Sequence, residues 1–215
     1  MKLTFRKSLI YLIGLGLLAV CVTLIQKTNL GMSSWDAFYR NLYEGIPLEY
    51  KYLNPIIALI LIPIAYLIQK KRFSLWMLFP LVISFYIGAI IDMLLLIIPS
   101  VENANLIWNL VYLLTAMIVC SIGLNFVVYC NYPLPALDEL CYGIGVALKS
   151  TYGKGKLIGE LLALFLAVIA GLIFSHYEQH FFIGVTTIIF ALGIGKMIDL
   201  FKKPIFRILE AIDAN

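Results

Sequence analysis

The stretch Leu106-Ile-Trp-Asn-Leu-Val-Tyr-Leu-Leu-Thr-Ala-Met-Ile-Val-Cys-Ser-Ile-Gly-Leu-Asn-Phe-Val-Val-Tyr129 runs without a single charged residue. A helix of about 20 residues crosses a hydrocarbon layer about 30 Å thick, so this block is long enough to span a membrane. Working outward from it, five further apolar blocks appear: Leu9–Gln26, Leu53–Gln69, Phe73–Ile98, Leu157–Ser175 and Phe181–Phe201. The expected fold is all-α, a polytopic membrane protein of six transmembrane helices. The first block imitates a signal peptide, but its apolar run continues to Ile25, and it is read as a retained helix.

Composition agrees. Of 215 residues, 62% are hydrophobic and only 13% charged, with a mean hydropathy of +0.97. A soluble domain of this size carries far more charge on its surface. The net charge of +4 does not point to nucleic acid, because the basic residues sit at the ends of apolar blocks. With a cytoplasmic N-terminus, the inner segments hold Lys2, Arg6 and Lys7; Lys70, Lys71 and Arg72; Lys149, Lys154 and Lys156; and Lys202, Lys203 and Arg207. The outer segments hold Lys27, Arg40 and Lys51. Positive residues favour the cytoplasmic side, so both termini are expected there.

Two connections, Lys27–Tyr52 and Cys130–Lys156, are long, amphiphilic and punctuated by Gly and Pro. They align with each other: Asn29-Leu-Gly-Met-Ser-Ser-Trp-Asp36 matches Asn131-Tyr-Pro-Leu-Pro-Ala-Leu-Asp138 in its Asn and its Asp, 102 residues apart. The sixteen residues from Leu53 align with those from Ile158 with 7 identities, and Gly88-Ala-Ile-Ile-Asp92 aligns with Gly195-Lys-Met-Ile-Asp199. The chain is therefore read as two three-helix repeats, 1–101 and 102–215. An odd number of crossings per repeat inverts the second copy, a design common in transporters. The two connections are expected to hold short interfacial or re-entrant helices.

The candidate binding residues follow from this frame. Asp36 and Asp138 each follow a turn-like stretch and open a helical segment; each is either a helix cap or a carboxylate facing a shared cavity. Trp35 accompanies the first, and with Trp76 and Trp108 it also fits an aromatic belt. Asp92 and Asp199 lie within the third and sixth helices, where ionisable groups are costly and usually face the bundle interior. Asp92 is well embedded and is read as a functional or helix-packing group, whereas the shallower Asp199 is either such a group or an interfacial residue beside Lys202. Lys196 is either an i,i+3 salt-bridge partner of Asp199, with Glu160 as another partner, or a binder of a substrate carboxylate or phosphate. Asn125 either bonds another helix or lines the interior. Gly14, Gly16, Gly88, Gly193 and Gly195 are read as close helix contacts. Pro55, Pro63 and Pro80 are read as kinks. His176 and His180 have a spacing that suits a metal only on a helix. The four cysteines have neither disulfide nor zinc spacing.

Phosphate-loop, dinucleotide, zinc-protease and serine-hydrolase motifs are absent from the sequence, so no enzyme activity and no cofactor are expected. The stretch Gly31-Met-Ser-Ser-Trp-Asp-Ala-Phe38 resembles the first motif of the YitT/YczE group of bacterial multi-pass membrane proteins, with Trp35 and Asp36 matching. Pro135-Ala-Leu-Asp138 is similar to that group's second motif in its Pro and Asp, and lacks its Arg. The resemblance implies a bacterial cytoplasmic (inner) membrane and transport. The leading expectation is a small secondary transporter or permease with acidic residues at a central site and an unknown small-molecule or ion substrate. The alternative is a non-transporting membrane module, either a substrate-binding subunit of a larger importer or an accessory protein for signalling or secretion. Partners are then the lipid bilayer and either a second copy of the chain or another membrane subunit, with no nucleic acid.

Overall fold

The computed structural model describes residues 5–46, 50–71, 75–174 and 182–214, and among these it is all helical. The helices are α1 (Phe5–Gln26), α2 (Ser34–Gly45), α3 (Tyr50–Ile68), α4 (Phe79–Ile97, preceded by a 3-10 turn at Leu75–Leu78), α5 (Leu106–Cys130), α6 (Ala136–Ala147), α7 (Tyr152–Phe174) and α8 (Val185–Ala214). Among the described residues four stretches are long and apolar enough to cross a membrane: Phe5–Gln26, Leu75–Ile97, Leu106–Cys130 and Tyr152–Phe174. The expected block Leu53–Gln69 coincides with α3, whose apolar run takes in Pro55–Ile68. One expected span differs: the last helix does not stop at Phe201 but continues amphipathically to Ala214, burying Ile205 and Leu209. Pro204 does not end it.

At the centre α1 and α5 cross antiparallel. Cys130 donates to the carbonyl of Lys7 at one end, and Asn109 accepts from the amide of Asn29 at the other. The helices approach because Gly14 and Gly123 face each other: a Cβ on Gly123 would lie 2.8 Å from the Gly14 carbonyl. Without a hydrophobic force between helices in lipid, such backbone proximity supplies the packing.

The two 12-residue helices cross over between the halves. Trp35 and Tyr39 of α2 cluster with Ala163 of α7, Asn41 donates to the Ala167 carbonyl at 2.9 Å, and Gly45 meets Phe174. So α2 starts beside the middle of α7 and runs with it to its end. In the same way α6 lies along α3: Ala136 clusters with Ala58 and Ile62, Leu140 with Ala65, and Gly143 abuts the Ala65 carbonyl. Helix α6 also lies against α7, where Gly155 and Gly159 leave room for the backbone and thiol of Cys141. Helix α8 packs on α5 and α7, with the Gly195 and Gly153 backbones in contact.

Helix α4 lies mainly on α1 and exposes Val82, Phe85, Met93 and Leu96, the last at 89%. Gly193 touches Met117, and with Gly14 and Gly195 it is a close contact. Gly16 and Gly88 are not, since a Cβ on either meets nothing within 4 Å. His176 and His180 lie outside the described residues.

Candidate functional site

Each short helix begins where the chain turns sharply. Gly31 takes φ +95°, open to a residue without Cβ, and a Cβ there would strike the Gly184 backbone. That turn is pinned to the start of α8: Met32 N–H donates to the Phe182 carbonyl and the Thr187 hydroxyl to the Met32 carbonyl. Ser33 then caps α2, accepting from the Asp36 amide at 3.3 Å while its hydroxyl donates to Asp36 Oδ2 at 2.6 Å. On the other side Asn131 adopts the left-handed conformation, φ 54°, as the cap of α5, and Pro133 and Pro135 carry the chain into α6.

The caps are not equivalent. Asp36 shares its cap with Ser33, whereas Asp138 caps nothing. Its Oδ1 accepts from the Lys156 ammonium at 2.7 Å and from the Tyr152 hydroxyl at 3.1 Å. The next residue, Glu139, takes the local role: its Oε2 accepts from the Leu134 amide at 3.0 Å, and Oε1 accepts from Gln69 at 2.8 Å. Lys156 also meets Glu160 Oε1 at 3.0 Å, one turn along α7.

The starts of α2 and α6 open on one cavity of 210 Å³. Its charged lining is Asp36, Asp138, Lys156 and Glu160; Ser33, Ser84, Tyr39, Trp35, Cys21 and Cys120 also face it. Lys156 and Glu160 are 6% and 1% exposed. Each helix start adds about half a positive charge directed at the space. One wall is the α4 face Ser84, Ile87, Gly88 and Ile91, and another is Phe190 of α8. This arrangement can hold a small ligand, exchange protons with carboxylates shielded from bulk water, and discriminate by charge.

A profile described as "Family of unknown function (DUF6198)" matches residues 5–203, taking in every helix start and side chain of this cavity. The chain belongs to the DUF6198 family. No curated protein and no solved structure matched it significantly.

In this DUF6198 protein the residues singled out by sequence divide. Asp36, Asp138 and Trp35 are brought together at the cavity. Trp35 is buried on α2, so it is not part of an interfacial belt; Trp76 and Trp108 are exposed. Asn125 bonds across helices, donating to the Ile198 carbonyl at 3.0 Å, and does not line the cavity. Asp199 is not bridged to Lys196: it accepts from the Thr151 hydroxyl at 2.6 Å and the Gly153 amide at 3.2 Å, while Lys196 is exposed. Asp92 is exposed on α4 and has no ion pair among the described residues. The reading of Asp92 as a group turned to the bundle interior is corrected on that point.

Two cavity residues were passed over. The sequence places Lys156 among the cytoplasmic charges, whereas the structure buries it between two carboxylates. Glu160 is legible in sequence only as a partner for Lys196. The usable signal was the i,i+4 spacing of Lys156 and Glu160 inside an apolar helix, beside the small-residue stripe of Gly155 and Gly159.

Proposed function

We propose that this protein is a small secondary transporter of the bacterial cytoplasmic membrane, built as a 3+3 inverted repeat, with its binding site in the central cavity. The observation that carries the reading is the convergence of the α2 and α6 starts, with Asp36 and Asp138, on one cavity. Half-helices whose positive ends meet near the membrane midplane are a recurrent way to build a transport site. In this reading α3 and α8 complete six crossings, and both termini are cytoplasmic. The swapped packing of α2 on α7 and α6 on α3 is what a two-fold axis in the membrane plane produces. The YitT/YczE resemblance at Trp35 and Asp36 points the same way.

Alternating access is supported by an asymmetry between aligned positions. In the second repeat Asp199 ties α8 to the start of α7, and Gly195 sits on Gly153. Their counterparts in the first repeat, Asp92 and Gly88, are exposed and uncrowded respectively. One half is closed where the other is parted, and exchange of these two arrangements would move the access path across the site.

The test is flux into proteoliposomes across metabolites and ions. Asp36→Asn and Asp138→Asn are expected to abolish transport while leaving the protein monodisperse in detergent. Normal transport by both variants would sink the mechanism. A second reading, a non-transporting module that docks on a partner, is favoured by the exposed α4 face carrying Asp92. Loss of a co-purifying membrane subunit on Asp92→Leu, with no flux at any condition, would support it.

A further inference from the structure

The charges of the cavity do not balance, and the imbalance has a sign. Three carboxylates, Asp36, Asp138 and Glu160, face a single ammonium, Lys156. With all three carboxylates ionised, two negative charges are left over, and the two helix starts offset about one of them. The remaining deficit is about one positive charge.

The unmet hydrogen-bonding capacity has the same character. Lys156 is spent on Asp138 Oδ1 and Glu160 Oε1. The second oxygen of Glu160, Oε2, is buried and has no donor, although the residue is only 1% exposed. A buried carboxylate oxygen without a donor keeps its negative charge uncompensated by hydrogen bonding, so Glu160 adds to the negative field of the cavity. Asp36 takes its hydrogen bond from Ser33 on Oδ2, and its other oxygen receives none from a described residue. Trp35 Nε1 is the opposite case, a buried donor without an acceptor. It suits a bridging water or a single acceptor on the ligand.

The walls decide between a metal ion and an organic cation. Most of the surface is aliphatic or aromatic, from Leu18, Val22, Ile25, Ile87 and Phe190. Among the described residues no three His, Cys, Asp or Glu side chains cluster in a way that would hold a metal ion. A hard ion wants six or more oxygen ligands. A volume of 210 Å³ also falls below the range of about 300–1,000 Å³ usual for drug-sized ligands. We infer that the cavity takes a small organic monocation with N–H donors, an alkylammonium or alkylguanidinium, whose charged head meets Asp36 in the field of Glu160 and whose apolar body lies against Ile87 and Phe190.

This rests on the central cavity being the transport site, and the experiment separates the two. Isothermal titration of the full-length protein in detergent compares n-butylammonium and n-butylguanidinium with butyrate and 1-butanol, which keep the body and change the head. The cations are expected to bind saturably and at least about tenfold more tightly than either control. Asp36→Asn and Glu160→Gln are each expected to weaken cation binding by about tenfold or more. Asp36→Asn leaves the Lys156 pairs in place, so its effect does not depend on Glu160→Gln folding well. No binding of the cations to monodisperse wild type, or butyrate or butanol binding as well as they do, overturns the inference. Proteoliposome uptake of n-butylguanidinium, which stays charged and does not leak as a neutral amine, reads the other claim. Saturable binding without uptake upholds the ligand class and removes transport. Asp36-dependent uptake of an anion instead keeps transport and overturns the ligand class.

Discussion

The ammonium of Lys156 lies 2.7 Å from Asp138 Oδ1, joining the first turn of α6 to the first turns of α7. With Glu160 on its other side, it is the one positive side chain in the cavity lining among the described residues. Removing one member of a buried ion pair is far more damaging than replacing the pair, because a charge is left without a partner. Lys156→Met is therefore expected to destabilise the protein by about 3–5 kcal/mol. Adding Asp138→Asn and Glu160→Gln should recover most of the loss. Thermal unfolding in detergent checks both, and equal melting of Lys156→Met and wild type would show the triad to be idle.

The aligned glycines Gly195 and Gly88 make a paired test. A methyl at Gly195 would run into the Gly153 backbone, while one at Gly88 meets nothing within 4 Å. Gly195→Ala should cost about 1–3 kcal/mol through overpacking. Gly88→Ala should be neutral or stabilise by up to about 1 kcal/mol through helix propensity. Equal effects would argue that α7 and α8 are not clamped there.

Ser33→Ala removes the α2 cap and the hydroxyl that donates to Asp36. A loss of about 1 kcal/mol in stability is expected. Binding at the site should change as well, because the Asp36 carboxylate loses its positioning donor. Ser33→Thr keeps a capping hydroxyl and should restore both readouts.

Asn125 is expected to behave as a packing residue. Its interhelical bond to the Ile198 carbonyl is of a kind that averages about 0.6 kcal/mol in membranes. Asn125→Ala should lower stability by roughly that amount and leave ligand binding unchanged. A selective loss of binding would place Asn125 in the site after all.

How far sequence carried the reading depends on what kind of information each feature needs. The α1, α4, α5 and α7 spans are properties of composition alone, and they were legible as uninterrupted apolar runs. The starts of α2 and α6 were legible as turns because Gly31, Pro133 and Pro135 act locally. Lys156 was not, since in sequence it is one lysine among Lys149, Lys154 and Lys156 between two apolar blocks. Only the lie of α6 on α7 sets it opposite Asp138. Lys196 failed in the converse way. Its i,i+3 spacing to Asp199 is real, but Thr151 and Gly153 at the entry to α7 reach that carboxylate first. Local spacing proposes a partner, and tertiary packing disposes of it.

The seating of α2 on α7 has a consequence for how the chain is made. Helix α2 ends at Gly45, and its seat begins only at Tyr152. At typical rates of synthesis the interval is on the order of ten seconds. Throughout it a 12-residue helix, too short to cross lipid by itself, lacks its main seat and has only α3 to lean on. During that time Asp36 and Trp35 belong to the membrane surface or to whatever insertase attends the ribosome. Threading of the long helices and closure of the core are thus separate events, and the first half cannot finish until the second half has been born.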